Sequence, residues 1–199
     1  MTTDIRQLTT DELREAGRVL TDALVDDPGW VAVAPGSRQR RRRLADGYHR
    51  AMLRVTQRHG RPIHGAFRDG RLAGVAATFA AGLYPPPMRT FAHYVPSFLR
   101  AGPGATARGL RFSAIQERGH PEEEHVYLWF LGVDPSLQRA GVGRALLGQV
   151  FDDACAIDVP VYLDTSNPAN VPYYASFGFE VIGEADLFRG ARIWFLRRP

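Results

Sequence analysis

Lysine is absent from this 199-residue chain, and all 25 of its basic residues are arginine. A phosphate-binding loop of the Walker type needs Gly-Lys-Ser/Thr, so the absence of lysine excludes that site. The chain has one cysteine, Cys155, which excludes an internal disulfide and favours a cytoplasmic location. We expect this cysteine to pack in the interior, as free cysteine usually does.

Long apolar segments are also missing from the sequence. No run of about 18 apolar residues occurs, so no membrane-spanning helix and no membrane partner are predicted. The first residues, MTTDIRQLTTDELRE, are polar and lack the charged-then-apolar order of a secretory signal. The composition, 45% hydrophobic and 23% charged, is typical of a globular protein with a buried core. We therefore interpret residues 1–199 as a single domain.

Positive charge is concentrated in the run RQRRRR, Arg38–Arg43, of a chain whose net charge is +4. Such a run can bind nucleic acid, and its affinity would then fall steeply with salt. However, Leu44, Tyr48, Met52 and Val55 recur at helical spacing through the same segment. The pattern favours a helix whose arginines form a solvated face, and we expect no nucleic-acid partner.

The order of the predicted elements indicates an α/β (α+β) fold. A short strand and two helices precede a hairpin, PIHGAFR and RLAGVAATFA, whose strands are joined by Asp69-Gly70. Two apolar runs, His125–Val133 and Val161–Ser166, are typical of buried central strands, and each is followed by a predicted helix. FEVIGE and ARIWFL are the last two strands. We predict one mixed, mostly antiparallel sheet of six to seven strands, flanked by helices.

The segment LQRAGVGRALL, Leu137–Leu147, joins the first central strand to its helix. Gly141 and Gly143 would allow positive φ values and close approach of a ligand, and Arg139 and Arg144 flank them. The first N–H groups of a helix have no partner within it, and the helix dipole is positive there. The turn is therefore either a structural corner or a cradle for a pyrophosphate.

The dinucleotide-binding pattern does not explain this turn. That pattern requires a third glycine three residues after the second, and this chain has Leu146 there. Other short motifs follow in a fixed order. LGVDP precedes the sequence Gln138-Arg139-Ala140-Gly141-Val142-Gly143, and Asn167, Tyr174 and Gly178-Phe179 come after it.

On these motifs, residues 125–184 resemble the GNAT superfamily of acetyl-CoA-dependent N-acetyltransferases. The signature of that family is Gln/Arg-x-x-Gly-x-Gly/Ala, which the chain matches from Gln138 to Gly143. FLGVDP, LDTSNPANVPYYASFGF and the arginine-rich last strand are most similar to the branch that includes puromycin N-acetyltransferase. The N-terminal half is similar only in outline, in its two helices, hairpin and proline-containing loop.

The resemblance implies that acetyl-CoA is the co-substrate and lies between splayed fourth and fifth strands. Residues 121–199 would bind it, and residues 1–120 would form the acceptor side. Backbone groups of Leu131, Gly132 and Val133 would pair with the pantetheine arm, and an N–H there would polarise the thioester carbonyl. Asn167 would contact the pantetheine arm or cap a helix. The pyrophosphate would be held by the amides of Gln138, Arg139, Ala140, Gly141, Val142, Gly143 and Arg144.

The resemblance also implies Tyr174 as the general acid that protonates the leaving thiolate. A phenol with a pKa of about 10 is protonated at neutral pH, as that role requires. Its neighbour Tyr173 points about 100° away on a helix, so only one of the two can face the thioester. Asp164 and His125 are candidates for the general base, directly or through water. Each can equally be an ordinary polar residue, and no metal is implied.

The amine acceptor is not identified by the sequence. LYPPPM, Leu83–Met88, together with Phe91, His93 and Tyr94 could cover an apolar amine. The branch resemblance implies a small, antibiotic-like amine, whereas a polyamine, an amino acid or a protein lysine or N-terminus is left open. A non-catalytic, regulatory acyl-CoA-binding domain is the alternative to an enzyme. Exposed edge strands would also permit a homodimer.

Overall fold

The computed structural model describes residues 3–58, 62–79, 83 and 95–199. These residues form a seven-stranded sheet in the order β1-β2-β3-β4-β5-β7-β6. Only the pair β4–β5 is parallel. The predicted mixed, mostly antiparallel sheet is therefore confirmed. The strands are β1 (Asp4–Gln7), β2 (Ile63–Arg68), β3 (Arg71–Phe79), β4 (Val126–Val133), β5 (Val161–Thr165), β6 (Glu180–Asp186) and β7 (Arg192–Arg198).

Helices flank the sheet on both faces, as predicted. One of them, α2, starts at Pro28 and adds to the two helices predicted before the hairpin. Asp27 caps it, because its side chain accepts a hydrogen bond from the Gly29 N–H at 2.9 Å and Pro28 fits the first helical position. The helices are α1 (Leu13–Leu24), α2 (Pro28–Val33), α3 (Arg38–Arg58), α4 (Val95–Ala101), α5 (Pro103–Arg118), α6 (Val142–Cys155) and α7 (Asn170–Ala175).

The two central strands separate soon after they begin. β4 and β5 are in register only at Val126–Val161 and Tyr127–Tyr162, although β4 continues to Val133. The pairing of β4 with β3 shifts by one residue at Trp129, where Ala77 faces Phe130 and Thr78 faces Leu128. An extra residue of this kind bends a strand and increases its twist. The predicted splay of the fourth and fifth strands is thus confirmed.

Packing on both faces of the sheet fixes the end of β4. Helix α6 covers one face, and α1 packs with Leu53 of α3 against the other. Gly132 of β4 lies directly against α1, since a Cβ added there would be 2.8 Å from Leu20 Cδ2 and 3.2 Å from Ala23 Cβ. Close contact with α1 therefore requires glycine at this position.

Cys155 is exposed, so the expectation that it packs in the interior was wrong. The buried face of α6 ends at Ala154, the last of a series spaced three or four residues apart. Cys155 follows one residue later, which turns its side chain about 100° away from that face. The buried residues of α6 are Val142, Leu146, Leu147, Val150 and Ala154.

The arginine run begins α3, as predicted, but three of its arginines are paired within the chain. Arg38 and Arg42 contact Asp26 and Asp22 at 2.7 and 2.6 Å. Arg41 is only 7% exposed and donates to the Val25 carbonyl at 2.6 Å. These contacts bind the run to the C-terminal end of α1, so only part of it is a solvated face.

One core histidine has an unusual environment. His49 of α3 is fully buried, with its Nδ1 3.0 Å from Thr21 Oγ1. Its Nε2 has no hydrogen-bond partner among the residues that the structure describes. The rings of Trp30, Tyr48 and Phe130 surround it, with centroids 5.2 to 6.0 Å away. Burial lowers the pKa of His49 to about 3.

We expect this histidine to make the fold sensitive to acid. An unfolded histidine has a pKa of about 6.5, so below that pH the unfolded chain binds a proton that the folded chain excludes. Each unit by which the pH falls between about 6.5 and the lowered pKa then reduces the free energy of unfolding by about 1.4 kcal/mol, which lowers the Tm by roughly 3–6 °C. Thermal unfolding of wild type and His49→Phe at about pH 7 and about pH 5 measures this. Equal pH dependence in both proteins would contradict the expectation.

Candidate active site

We use the name glycine turn for residues 138–144, which join β4 to the start of α6. Arg139 and Gly141 both have left-handed backbone conformations, with φ of 61° and 85°. Gly141 is the N-cap of α6, and its carbonyl accepts from the Ala145 N–H at 3.0 Å. The N–H groups of Val142, Gly143 and Arg144, which lie between Gly141 and Ala145, therefore have no partner within the helix. Successive backbone N–H groups in such a turn form a concave site for an anion.

The space above the turn is open. A Cβ added to Gly141 would meet nothing within 4 Å, whereas one added to Gly143 would be 2.9 Å from the Tyr173 Oη. From β2, Arg68 Nη2 donates to the Ala140 carbonyl at 2.6 Å and holds the turn in place. The residues predicted to hold a pyrophosphate, from Gln138 to Arg144, thus form a turn and the first residues of α6, and their shape fits such a group.

A cavity of about 250 Å³ lies where β4 and β5 separate. Beyond Tyr127, the described part of β4 pairs only with β3, so backbone groups on its other edge are available to an extended ligand. Leu131 lines the cavity, and Gly132 and Val133 continue the same open edge. The edge therefore suits the predicted pairing with a pantetheine arm.

Tyr174 projects into this cavity from α7. It is 8% exposed, and its ring packs edge to face on Phe179 with centroids 5.6 Å apart. Burial raises the pKa of the Tyr174 phenol, and the nearby Tyr173, Asp27 and Asp164 raise it further. The phenol therefore stays protonated at neutral pH. Tyr173 is 39% exposed, and its hydroxyl lies at the glycine turn. The two tyrosine side chains therefore lie in different parts of the site.

Asp164 lines the same cavity from β5. One of its carboxylate oxygens accepts from the Tyr127 hydroxyl at 2.5 Å and the other from Gln116 Nε2 at 3.0 Å. Burial raises the pKa of Asp164, and the negative charge of Asp27 adds to this, while the two hydrogen bonds oppose it. A carboxylate with a raised pKa is a stronger proton acceptor than an exposed one.

His125 lies at the closed end of the β4–β5 pair and is not among the described residues that line the cavity. Its Nδ1 is 2.7 Å from the Glu123 carbonyl, and its Nε2 is 2.8 Å from His120 Nε2. Burial lowers the pKa of His125. Its neighbour His120 has its ring 4.9 Å from the ring of Tyr127, and Tyr127 is the residue that donates to Asp164. The geometry therefore favours Asp164 as the base.

Asn167 forms a local turn before α7. Its Oδ1 accepts from the Ala169 N–H at 3.1 Å, and its own N–H donates to Thr165 Oγ1 at 3.3 Å. Asn167 is not part of the described cavity lining, which includes Asn170 instead. Asn170 Nδ2 donates to Thr165 Oγ1 at 3.1 Å. A contact of Asn167 with a pantetheine arm stays a prediction.

Asp27 is a cavity residue that the sequence did not reveal. Its Oδ1 accepts from the Gly29 N–H and, at 2.5 Å, from the Ser166 hydroxyl, which itself accepts from the Gly29 N–H at 3.0 Å. Burial raises the pKa of Asp27, and these hydrogen bonds oppose the rise. The available signal was Asp27-Pro28, which is a typical start of a helix.

The residues predicted to cover the acceptor lie mostly outside the described residues: Phe91, His93, Tyr94 and all of LYPPPM except Leu83. Helices α2 to α5 all contribute residues to the described lining of the cavity. In this described part of the chain, no helix is long and apolar enough to cross a membrane. The same residues contain no group of three or more His, Cys, Asp or Glu side chains that could hold a metal.

Relatives of known sequence match part of the chain. Mycothiol acetyltransferase of Salinispora arenicola is 36% identical over 86 residues, which are 41% of this chain and 27% of that protein. N-alpha-acetyltransferase RimI of Mycobacterium tuberculosis is 35% identical over 91 residues, 46% of this chain and 54% of that protein. The chain thus spans about a quarter to about half the length of these curated relatives.

The fold and the family are established by two further comparisons. A crystal structure described as histone acetyltransferase HPA2 and related acetyltransferase, from Corynebacterium glutamicum, superposes with a TM-score of 0.74 at 19% identity. The superposition covers 100% of this chain and 97% of that one, and it shows a shared fold. The model of the acetyltransferase (GNAT) family matches residues 36–179. The chain therefore belongs to the acetyltransferase (GNAT) family, and with it to the predicted class of acyltransferase enzymes.

Proposed function

We propose that this chain transfers the acetyl group of acetyl-CoA directly to an amine in a ternary complex. The observation that carries the proposal is the convergence of Tyr174 and Asp164 on one cavity beside the glycine turn. A phenol that stays protonated and a carboxylate with a raised pKa are the acid and the base that such a transfer needs. The remaining steps follow from the positions of these groups.

The glycine turn and the open edge of β4 would bind acetyl-CoA. Amides from Gln138 to Arg144 would hold the pyrophosphate, and the edge from Leu131 to Val133 would pair with the pantetheine arm. The fit rests on the open space over Gly141 and on the unpaired helical N–H groups. When bound, acetyl-CoA supplies a thioester, and the N–H of Leu131 or a neighbour would polarise its carbonyl.

Proton transfers would be divided between the two cavity residues. A protonated amine must lose a proton before its nitrogen can attack, and Asp164 accepts that proton directly or through water. The new C–N bond forms as the C–S bond breaks, and Tyr174 donates its proton to the leaving thiolate. The second amine proton then restores Tyr174 through solvent. The net products are the acetylated amine, the CoA thiol and one proton.

The pH dependence of kcat/KM tests this assignment of the base. Asp164 cannot accept a proton once it is protonated, so kcat/KM is expected to fall as the pH drops through its raised pKa. Asp164→Asn is expected to lower kcat about 10²-fold and to change this acidic limb. Thiol release at saturating acetyl-CoA measures both effects.

Two control variants make the pH experiment decisive. Asp152→Asn removes an exposed carboxylate of α6 and should leave the rate and the profile unchanged. His125→Gln removes the other candidate base and should also keep the acidic limb. If His125→Gln abolishes that limb and Asp164→Asn preserves both limb and rate, the base is His125 and the assignment of Asp164 is wrong.

The N-terminal amine of a protein is the second candidate acceptor. The similarity to a protein named N-alpha-acetyltransferase favours it. The branch resemblance favours a small, antibiotic-like amine instead. Competition between a small amine and a short peptide for the same acetyl-CoA would separate the two. The proposal also assigns the acceptor side to residues 1–120 and the acetyl-CoA side to residues 121–199. It includes a cytoplasmic location and a homodimer that forms through edge strands.

A further inference from the structure

The charge of the cavity has one sign. Asp27, Asp164 and the exposed Glu117 line it, and Asp27 contributes to the raised pKa of Asp164. None of the described lining residues is basic. Two buried carboxylates that lack a cation destabilise each other, and a positively charged ligand would relieve that repulsion. An anionic ligand would add to it.

The walls around these carboxylates are mainly apolar, and six of the described lining residues are aromatic. Trp30 and Tyr48 meet edge to face with centroids 5.4 Å apart, and Trp129 and Phe130 lie 5.1 Å apart. Phe112 of α5 lines the same cavity. Aromatic faces bind apolar groups and attract an adjacent ammonium. The walls therefore suit a single apolar body more than a second charged group.

Asp27 is held in a fixed position for contact with a cation. Its links to Gly29 of α2 and to Ser166 at the end of β5 join the acceptor side to the acetyl-CoA side. Within the described part of the chain, Oδ1 accepts both of the hydrogen bonds made to the Asp27 side chain. Oδ2 is thus left to a ligand in the cavity that Asp27 lines.

We propose that the acceptor is a primary amine with one positive charge on an apolar, aromatic body, and that Asp27 binds its ammonium group. The proposal rests on the proposed acetyl transfer and names the substrate class for that site. Asp164 would then take the proton from an amine that Asp27 holds in place. An α-carboxylate on the acceptor should weaken binding, because the cavity carboxylates repel it. A second ammonium in place of the aromatic body should also weaken binding, because the apolar contacts are lost and the remaining carboxylate of the lining, Glu117, is exposed to water.

A panel of matched amines tests the substrate class. 2-Phenylethylamine and phenylalanine differ only in the α-carboxylate, and 1,6-diaminohexane replaces the ring by a second amine. We expect kcat/KM, measured by thiol release, to be at least about 10²-fold higher for 2-phenylethylamine than for the other two. Equal or reversed preference would overturn the proposal.

Variants of Asp27 test the anchoring residue. Asp27→Asn keeps a good N-cap and its hydrogen-bonding shape but removes the charge. It is expected to raise the KM for 2-phenylethylamine about 10–100-fold, to leave the KM for acetyl-CoA unchanged and to narrow the discrimination against phenylalanine. A purely structural cap would not change that discrimination. Asp22→Asn, an exposed carboxylate of α1, is the control with unchanged constants.

The outcomes separate this proposal from the proposed function. If acetyl transfer occurs but Asp27→Asn keeps the wild-type KM and discrimination, the anchor is wrong and acetyl transfer stands. If acetyl-CoA raises the Tm and no amine or peptide is acetylated, both proposals fail. The melting temperature of each variant without ligand shows that a changed KM does not come from an unfolded protein.

Discussion

Tyr174→Phe is expected to lower kcat about 10²–10³-fold while the affinity for acetyl-CoA stays unchanged. The substitution removes the phenolic proton that the leaving thiolate requires. It keeps the ring that packs against Phe179 and Tyr173, with centroids 5.6 and 5.4 Å away. Steady-state kinetics at saturating amine measure kcat, and the Tm shift on adding acetyl-CoA measures binding.

Tyr173→Phe is the matched control, because it removes a hydroxyl from the adjacent residue of the same helix. Its Oη lies at Gly143 rather than in the cavity, so any effect should appear in the KM for acetyl-CoA. The value of kcat at saturating acetyl-CoA should stay within about two-fold of wild type. An unchanged kcat in Tyr174→Phe, or equal losses in the two variants, would remove Tyr174 from the mechanism.

Bulky residues in the glycine turn should strongly weaken the binding of acetyl-CoA, which is the second large effect that we expect. At about 100 times its Kd, acetyl-CoA stabilises the wild-type fold by about 2.7 kcal/mol, or roughly 5–10 °C in Tm. Gly143→Leu fills the space beneath Tyr173, and Gly141→Val places a branched side chain at a φ of 85°. A hundredfold loss of affinity would reduce the stabilisation at the same concentration to about 0.4 kcal/mol.

A glycine further along α6 provides the control for this experiment. A Cβ on Gly148 would meet nothing within 4 Å, so Gly148→Ala should keep the full Tm shift with acetyl-CoA. Each variant is compared with its own melting temperature without ligand, which removes the effect of strain on the fold. A full shift in Gly143→Leu and Gly141→Val would show that the turn is only a structural corner.

Local signals predicted most of the fold, including the turn at which we propose that acetyl-CoA binds. The apolar run that became β4, the segment LGVDP and the glycine turn are neighbours in sequence and also in space. Each rests on backbone preferences within a few residues, such as the left-handed conformation of Gly141. The placement of Tyr174 in the cavity also agrees with its position on a short predicted helix.

Contacts between distant segments determined what the sequence did not predict. The hydrogen bond from Ser166 to Asp27 joins residues 139 positions apart, and nothing near Asp27 in sequence indicates it. The bulge at Trp129 depends on how β4 pairs with β3, which periodicity within β4 does not record. The sequence made His125 a candidate for the general base, and only the tertiary structure places it with His120, outside the described cavity lining.

The exposed thiol of Cys155 could carry the acetyl group as a covalent intermediate. The proposed direct transfer does not use such an intermediate. Direct transfer requires acetyl-CoA and the amine to be bound together. No acetylated protein should therefore form when the amine is absent. Cys155→Ala should retain the wild-type rate.

Labelled acetyl-CoA tests the central claim most directly. The protein is incubated with it, with and without 2-phenylethylamine, and the label is followed into protein, amine and solvent. Direct transfer predicts labelled amine only when both substrates are present, and no label on the protein at any time. Label that accumulates on the protein without amine, or label that never reaches any amine while acetyl-CoA binds, would contradict it.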